Sequence, residues 1–170
     1  MRLANLRVPT IAAVNGVAAG AGASLALACD MVIAAQSAFF MLPFAKIGLI
    51  PDTACSWLVP QRLGQARALG LAITGNKLPA AKAAEWGLIW EAVADDAFAA
   101  STAALAQQLS GMPTRALVRT RQAMQAGRSN TLEQQLTLEG LFMRELGRSG
   151  DYVEGVAAFL DKRPARFTGA

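Results

Sequence analysis

The residues that could carry chemistry are few and lie close together. Between Val8 and Gln61 the only acidic or basic side chains are Asp30, Lys46 and Asp52. Asp52 closes the run Ile50-Pro51-Asp52, so a carboxylate is set among apolar residues beside an expected buried sheet and dry pocket. Burial makes such a group a stronger base, suited to moving a proton on and off carbon. It could equally serve as the N-cap of a helix over Thr53 to Leu58. Upstream, Gly20-Ala21-Gly22 stands where a strand gives way to a helix. Small residues there admit a ligand to the backbone, and the first N–H groups of the helix point outward beside its positive dipole end. That place can bind a phosphate or hold a developing oxyanion. It can also be a tight strand-to-helix turn with no ligand.

Other constellations are weaker. A dinucleotide fingerprint fails because Leu25 stands where its third glycine would be, and Asp30 comes too early to meet a ribose. Ser24 sits in Gly22-Ala23-Ser24-Leu25-Ala26, a loose echo of a nucleophile elbow. The chain has no histidine, so nothing of that kind can take a proton from Ser24, which reads as a packed small polar residue. The same absence excludes Ser-His-Asp and Cys-His catalysis and His-based zinc sites. Cys29 and Cys55 are not a CxxC pair and read as core thiols of a cytoplasmic protein. After Met1 no apolar signal segment precedes Arg7. The uncharged stretch Val8 to Cys29 is broken by Pro9, Asn15 and several glycines, so no membrane span is expected.

Nine of the 16 basic residues lie between Arg115 and Arg166, spread along helical segments. Few aromatics accompany them, so solvated helix faces or small anions explain them better than nucleic acid does. With 54% apolar and 16% charged residues among 170, the chain suits one ordered domain that buries roughly 68–70% of its unfolded surface.

The elements that must position these groups follow from the pattern. After a polar lead from Arg2 to Arg7, strands are expected at Thr10 to Val14, Val17 to Ala19, Met31 to Ala35 and Ala38 to Met41. Asn15-Gly16 marks a turn. A helix of small residues spans Ser24 to Cys29. A helix after Asp52 runs to about Leu63, kinked or ended by Pro60. Gln65 to Thr74 is helical and closed by Gly75. Ala80 to Trp86 follows Pro79 and stops at Gly87, and Leu88 to Val93 returns as a strand. Beyond Asp95 the pattern is all helix: Phe98 to Leu109, Pro113 to about Met124, a third helix capped by Asn130-Thr131, and Val153 to Leu160. In the third, Leu132, Leu136, Leu138, Leu141, Phe142 and Leu146 form an apolar stripe. The whole reads as an α/β layer with a helical annex.

Ile11-Ala-Ala-Val-Asn-Gly-Val-Ala-Ala-Gly-Ala-Gly-Ala-Ser-Leu-Ala-Leu-Ala-Cys-Asp30 resembles the signature of the crotonase (enoyl-CoA hydratase/isomerase) superfamily. So do Ile47-Gly-Leu-Ile-Pro-Asp52, Leu71-Ala-Ile-Thr-Gly75, Ala83-Ala-Glu-Trp-Gly-Leu88 and Phe159-Leu-Asp-Lys-Arg163. Within the superfamily, Asn15 to Asp30 and Ile47 to Asp52 are most similar to the isomerases of phenylacetate catabolism.

The resemblance implies a spiral of ββα turns over residues 1–94 and a helical region over 95–170 that builds a homotrimer or hexamer. It implies an acyl-CoA isomerase acting on a double bond or a ring epoxide, with no cofactor beyond the coenzyme A of its substrate. Asp52 is then the proton shuttle and Ala21 N–H an oxyanion donor. Gly20, Gly22 and Phe44 border the acyl group, and Lys162 reaches CoA phosphate. The hydratase branch places Glu at the positions of Ser24 and Phe44; both are absent, which argues against water addition. Ala54-Cys55 replaces a glycine pair common after the aspartate, so the helix start is expected to shift. The family also carries a large upstream portion, with a second oxyanion donor and much of the CoA site, that does not precede Val8 here. Other readings stay open: a non-catalytic CoA-binding or assembly paralogue, an enoyl-CoA hydratase-type member, and an enzyme in which Asp52 is a nucleophile, as in dehalogenation.

Overall fold

The Asn15-Gly16 turn joins β1 (Ile11–Val14) to β2 (Val17–Ala19), with Gly16 at φ +130°. In the computed structural model, which describes residues 3–169, these strands enter different sheets. β1 pairs in parallel with β3 (Met31–Ala35), Ile11 opposite Met31 and Val14 opposite Ala34. β2 pairs in parallel with β4 (Phe39–Met41), Val17 opposite Phe39. Each turn of chain thus lays one strand on each sheet and then a helix: α1 (Ala21–Leu27) after the first pair, α2 (Cys55–Leu63) after the second. This is the expected ββα spiral. The third turn differs. β5 (Leu78–Pro79) runs antiparallel to β4, and β6 (Glu91–Val93) returns parallel to β3.

The paired strands β1 and β3 consist of small, β-branched and other apolar residues without charge. Val32, Ile33, Ala34 and Ala35 of β3 are buried, as expected for a parallel strand covered on both faces. Ala23, Ala26 and Leu27 of α1 join Val59 and Leu63 of α2 in the same core. Thr10 and Asp30 clasp the entrances of β1 and β3. Thr10 N–H and hydroxyl donate to Asp30 Oδ2 at 2.8 and 3.0 Å, and Asp30 N–H donates back to Thr10 Oγ1 at 3.0 Å. Asp30 is therefore engaged in structure.

Several expectations need correction. α1 starts at Ala21, three residues early, because Gly20 (φ +53°, ψ −125°) caps it with a backbone that suits only glycine. α2 neither ends nor breaks at Pro60. Proline removes the bond to the carbonyl of Ser56, but Ser56 is exposed, so water can satisfy it, and Gly64 N–H closes the helix on Pro60 O at 2.8 Å. The last strand keeps only Glu91–Val93 of the expected Leu88 to Val93. A 3-10 turn spans Pro43–Ile47. It packs on α3 (Gln65–Thr74), where a Cβ on Gly75 (φ +57°) would come within 3.2 Å of Pro43 Cα and 3.0 Å of Lys46 Cε.

By contact the chain divides in two. Leu3–Asn5 and Thr10–Leu105 make one unit; Leu6–Pro9 joins the chain from Ala106 onward in the other. Arg2, the head of the expected polar lead, lies outside the described residues. α4 (Ala80–Glu85) belongs to the first unit, and α5 (Phe98–Ser110) runs from the first into the second. In the second unit α6 (Thr114–Ala126) packs on α7 (Leu132–Leu146). Arg119 donates to Glu145 at 2.6 Å and stacks 4.7 Å from the Phe142 ring. Thr131 caps α7 with a full capping box to Gln134. The apolar stripe of α7 is only partly used: Leu138, Phe142 and Leu146 are half-buried, whereas Leu132, Leu136 and Leu141 are exposed. α8 (Gly150–Leu160) follows a Ser149 cap. The chain then turns at Lys162 (φ +53°) and folds back, with Phe167 against Gly155. No helix among the described residues is long and apolar enough to cross a membrane.

Candidate active site

The site residues expected from the first unit gather around the N-terminal half of α1. Gly20 N–H donates to Met41 O at 2.9 Å, which fixes the start of α1 against the end of β4. A Cβ on Gly20 would meet the Phe44 ring at 3.5 Å, so the half-buried Phe44 closes directly over the glycine. Ala21 and Gly22 are exposed, and a Cβ on Gly22 would meet nothing within 4 Å. Their N–H groups occupy the first turn, where an α-helix offers no internal partner.

Ser24 is fully buried, and its hydroxyl reaches Asp52 O at 3.3 Å and Gly20 O at 3.4 Å. One side chain thus touches the residue before α1 and the main chain of the aspartate. Asp52 O also accepts Cys55 N–H at 2.8 Å, closing a tight turn through Thr53 (φ +52°) and Ala54 (φ +64°). Both residues hold left-handed conformations that favour glycine, and Thr53 is β-branched as well. At Ala54-Cys55, where the family commonly has glycines by the resemblance above, the chain keeps a glycine-type corner without glycine. Thr53 hydroxyl donates to Asp52 Oδ1 at 2.9 Å, so the carboxylate has an oriented oxygen. Its side-chain role as an N-cap is excluded, since α2 is capped by Ala54 with no side-chain bond.

One expectation fails. Asp52 is exposed, not sealed in a dry pocket. Beyond the 3-10 turn that packs on α3, the loop carries the local bonds Gly48 N–H to Ala45 O and Leu49 N–H to Phe44 O. Ile47, Leu49 and Ile50 stand outward, Ile50 at 80% exposure. With Leu25 and Trp57, also exposed, they give unit one an open apolar surface. Aspartate access is correspondingly free.

The neighbouring thiols are held toward their protonated form. Burial pushes the Cys55 thiol up, against the opposing effect of the Ser24 hydroxyl, and burial does the same to Cys29. Lys162 lies in the second unit, exposed at the turn after α8. Arg62 escaped the sequence reading. It is the first charge after Asp52, and its guanidinium turns back to donate to Leu27 O at 2.6 Å, Leu88 O at 3.0 Å and Cys29 O at 3.4 Å. A lone cation at the margin of an apolar run, on a helix two turns beyond Asp52, was the available signal.

Comparison with known proteins gives a consistent picture. The family model described as "Enoyl-CoA hydratase/isomerase" matches residues 1–170. The chain is 54% identical over 168 residues to the 1,2-epoxyphenylacetyl-CoA isomerase of Escherichia coli strain K12, covering 99% of this chain and 64% of that protein. It is 52% identical over 162 residues to a probable enoyl-CoA hydratase of Rhodobacter capsulatus, covering 95% of this chain and 63% of the relative. Among solved structures, an enoyl-CoA hydratase/isomerase of Mycobacterium abscessus superposes with a TM-score of 0.95 at 34% identity, covering 99% of this chain and 65% of the other. A Geobacillus kaustophilus enoyl-CoA hydratase subunit gives 0.94 at 34% identity, covering 99% and 66%. The chain therefore spans a little under two thirds of the length of these curated relatives.

Proposed function

Because the chain belongs to the enoyl-CoA hydratase/isomerase family, we propose that the protein isomerises an acyl-CoA thioester with Asp52 as its proton shuttle and Ala21 N–H as an oxyanion donor. The observation that carries the reading is the 3.3 Å approach of Ser24 Oγ to Asp52 O. Ala21 and Ser24 are three residues apart, hence on one face of α1, so the aspartate loop docks beside the turn that bears the donor.

Asp52 takes a proton from a carbon near the thioester, and the electron pair moves onto the carbonyl oxygen. Ala21 N–H donates to that oxygen as its charge develops, a contact worth more in the transition state than in the substrate. The same carboxylate returns the proton to another carbon, so no atom is gained or lost. Such a cycle consumes no water and no redox cofactor; coenzyme A enters as part of the substrate. Phe44 over Gly20, with the open position at Gly22, borders the acyl group. Lys162 meets CoA phosphate, supplied by a neighbouring subunit of a homotrimer or hexamer. The 54% identity to the epoxyphenylacetyl-CoA enzyme favours an aryl ring-epoxide thioester over a simple aliphatic enoyl group. There the carbon–carbon bond shared by ring and epoxide breaks as the ring expands to an oxepin, its electrons forming new double bonds. The proton shuttle brings these into conjugation with the thioester, so the formula is unchanged.

The test is Asp52→Asn. Because Asp52 is exposed, folding survives, while turnover of the thioester falls by about 10²–10⁴; undiminished turnover removes Asp52 from the mechanism. Hydration is the second reading, favoured by the name of the Rhodobacter relative. Product mass separates the two: isomerisation conserves it and hydration adds one water.

A further inference from the structure

We infer that Arg62 is a positioning residue: it locks the C-terminal end of α1 so that the Ala21 amide keeps its place relative to Asp52. The inference rests on the isomerase reading and adds a residue that reading does not use. Its basis is the fate of the carbonyls at the end of α1. The helix has seven residues and no side-chain N-cap, and so short a helix is marginal without outside support. Its last carbonyls need partners. Ala26 O accepts Cys29 N–H at 3.2 Å. Leu27 O and Cys29 O accept from Arg62 Nη2 at 2.6 and 3.4 Å.

The second arm of the fork, Nη1, donates to Leu88 O at 3.0 Å, in the segment leading to β6. Leu27 and Leu88 are each 1% exposed, so without Arg62 two carbonyls beside the core would lack these bonds. The positive charge also stands where the helix dipole is negative. Arg62 is carried by α2, the helix that begins three residues after Asp52. α1 and the aspartate-bearing segment are thus joined twice, by Ser24 to Asp52 O and by Arg62 to Leu27 O and Cys29 O. Ser24, together with the Gly20 N–H bond to Met41 O, holds the N-terminal end of α1, and Arg62 holds the other end. The guanidinium is occupied by main-chain carbonyls, so it acts through α1 and does not touch substrate.

The experiment compares the wild-type protein with Arg62→Lys, Arg62→Gln and Asp52→Asn. Lysine keeps the charge but is a point donor that cannot span three carbonyls as a planar fork does. For Arg62→Lys the expected result is native circular dichroism, KM unchanged, and kcat lower by about 10- to 100-fold, the scale of a small misplacement. Faster amide hydrogen exchange confined to Ala21–Leu27 is expected alongside. Unchanged kcat per folded molecule together with unchanged exchange in α1 overturns the inference. So does failure of both Arg62 variants to fold, which makes Arg62 a residue of overall stability. The exchange readout needs no turnover. If the wild type converts no thioester while α1 loosens in Arg62→Lys, the isomerase reading falls and the anchoring of α1 by Arg62 stands.

Discussion

Ser24 and Asp52, 28 positions apart, meet through a hydroxyl 3.3 Å from a main-chain oxygen, and this contact sets the aspartate loop on α1. Ser24 is completely buried and also lies beside Cys55, itself at 0% exposure.

Ser24→Ala leaves the packing intact and removes the hydroxyl. The expected loss is about 1 kcal/mol of stability, the usual net worth of one hydrogen bond. A fall in kcat with little change in KM should accompany it, because the aspartate loop loses its tie to α1. Denaturant unfolding alongside steady-state kinetics measures both.

The corner at Thr53 and Ala54 is strained. A left-handed conformation costs a non-glycine residue about 1–2 kcal/mol, and glycine returns roughly 0.4–1 kcal/mol of that through a freer unfolded chain. Ala54→Gly, at φ +64°, should therefore raise stability by about 0.5–1 kcal/mol. A lower melting midpoint would show that Ala54 is not strained.

Gly75 faces the opposite situation. Its φ of +57° and the 3.2 Å approach to Pro43 Cα leave no place for a Cβ. Gly75→Ala should cost about 2–3 kcal/mol, combining left-handed strain with overpacking. Since the contact is to the 3-10 turn that carries Phe44, the variant should also disturb the cover over Gly20, read as a change in KM for the thioester.

In the second unit two carboxylates of α8 hold the returning chain. Asp151, 5% exposed, accepts Thr168 N–H at 2.7 Å and Gly169 N–H at 2.9 Å, bonds that keep its carboxyl below the usual range. The Arg163 guanidinium, then the Arg166 amide, hold Glu154 down to about 2. Both groups are more acidic folded than unfolded: the Glu154 contribution is fully present above its ordinary 4.5 and is lost as pH falls toward about 2, and that of Asp151 is lost in the same direction below its ordinary 3.8. Amide exchange of residues 163–169 should accelerate across that window, and Glu154→Gln should flatten the dependence.

Sequence alone determined what is local. Alternating apolar runs, Asn15-Gly16, Gly75, Gly87 and Thr131 fixed the order of strands and helices, because each signal acts within a few residues on dihedral angles and end groups. The ordered motifs around them pointed to the family. Sequence also singled out Asp52 and Ala21, since a carboxylate in an uncharged run and a glycine-flanked helix start are visible in one dimension. Tertiary structure decided the rest. It put β1 and β2 on separate sheets, left Asp52 open to solvent, and made a tie of Ser24. It also turned Arg62 back to Leu27, 35 positions away. Burial and such contacts depend on which distant segments arrive beside a residue, and no local preference of the residue itself encodes that arrival.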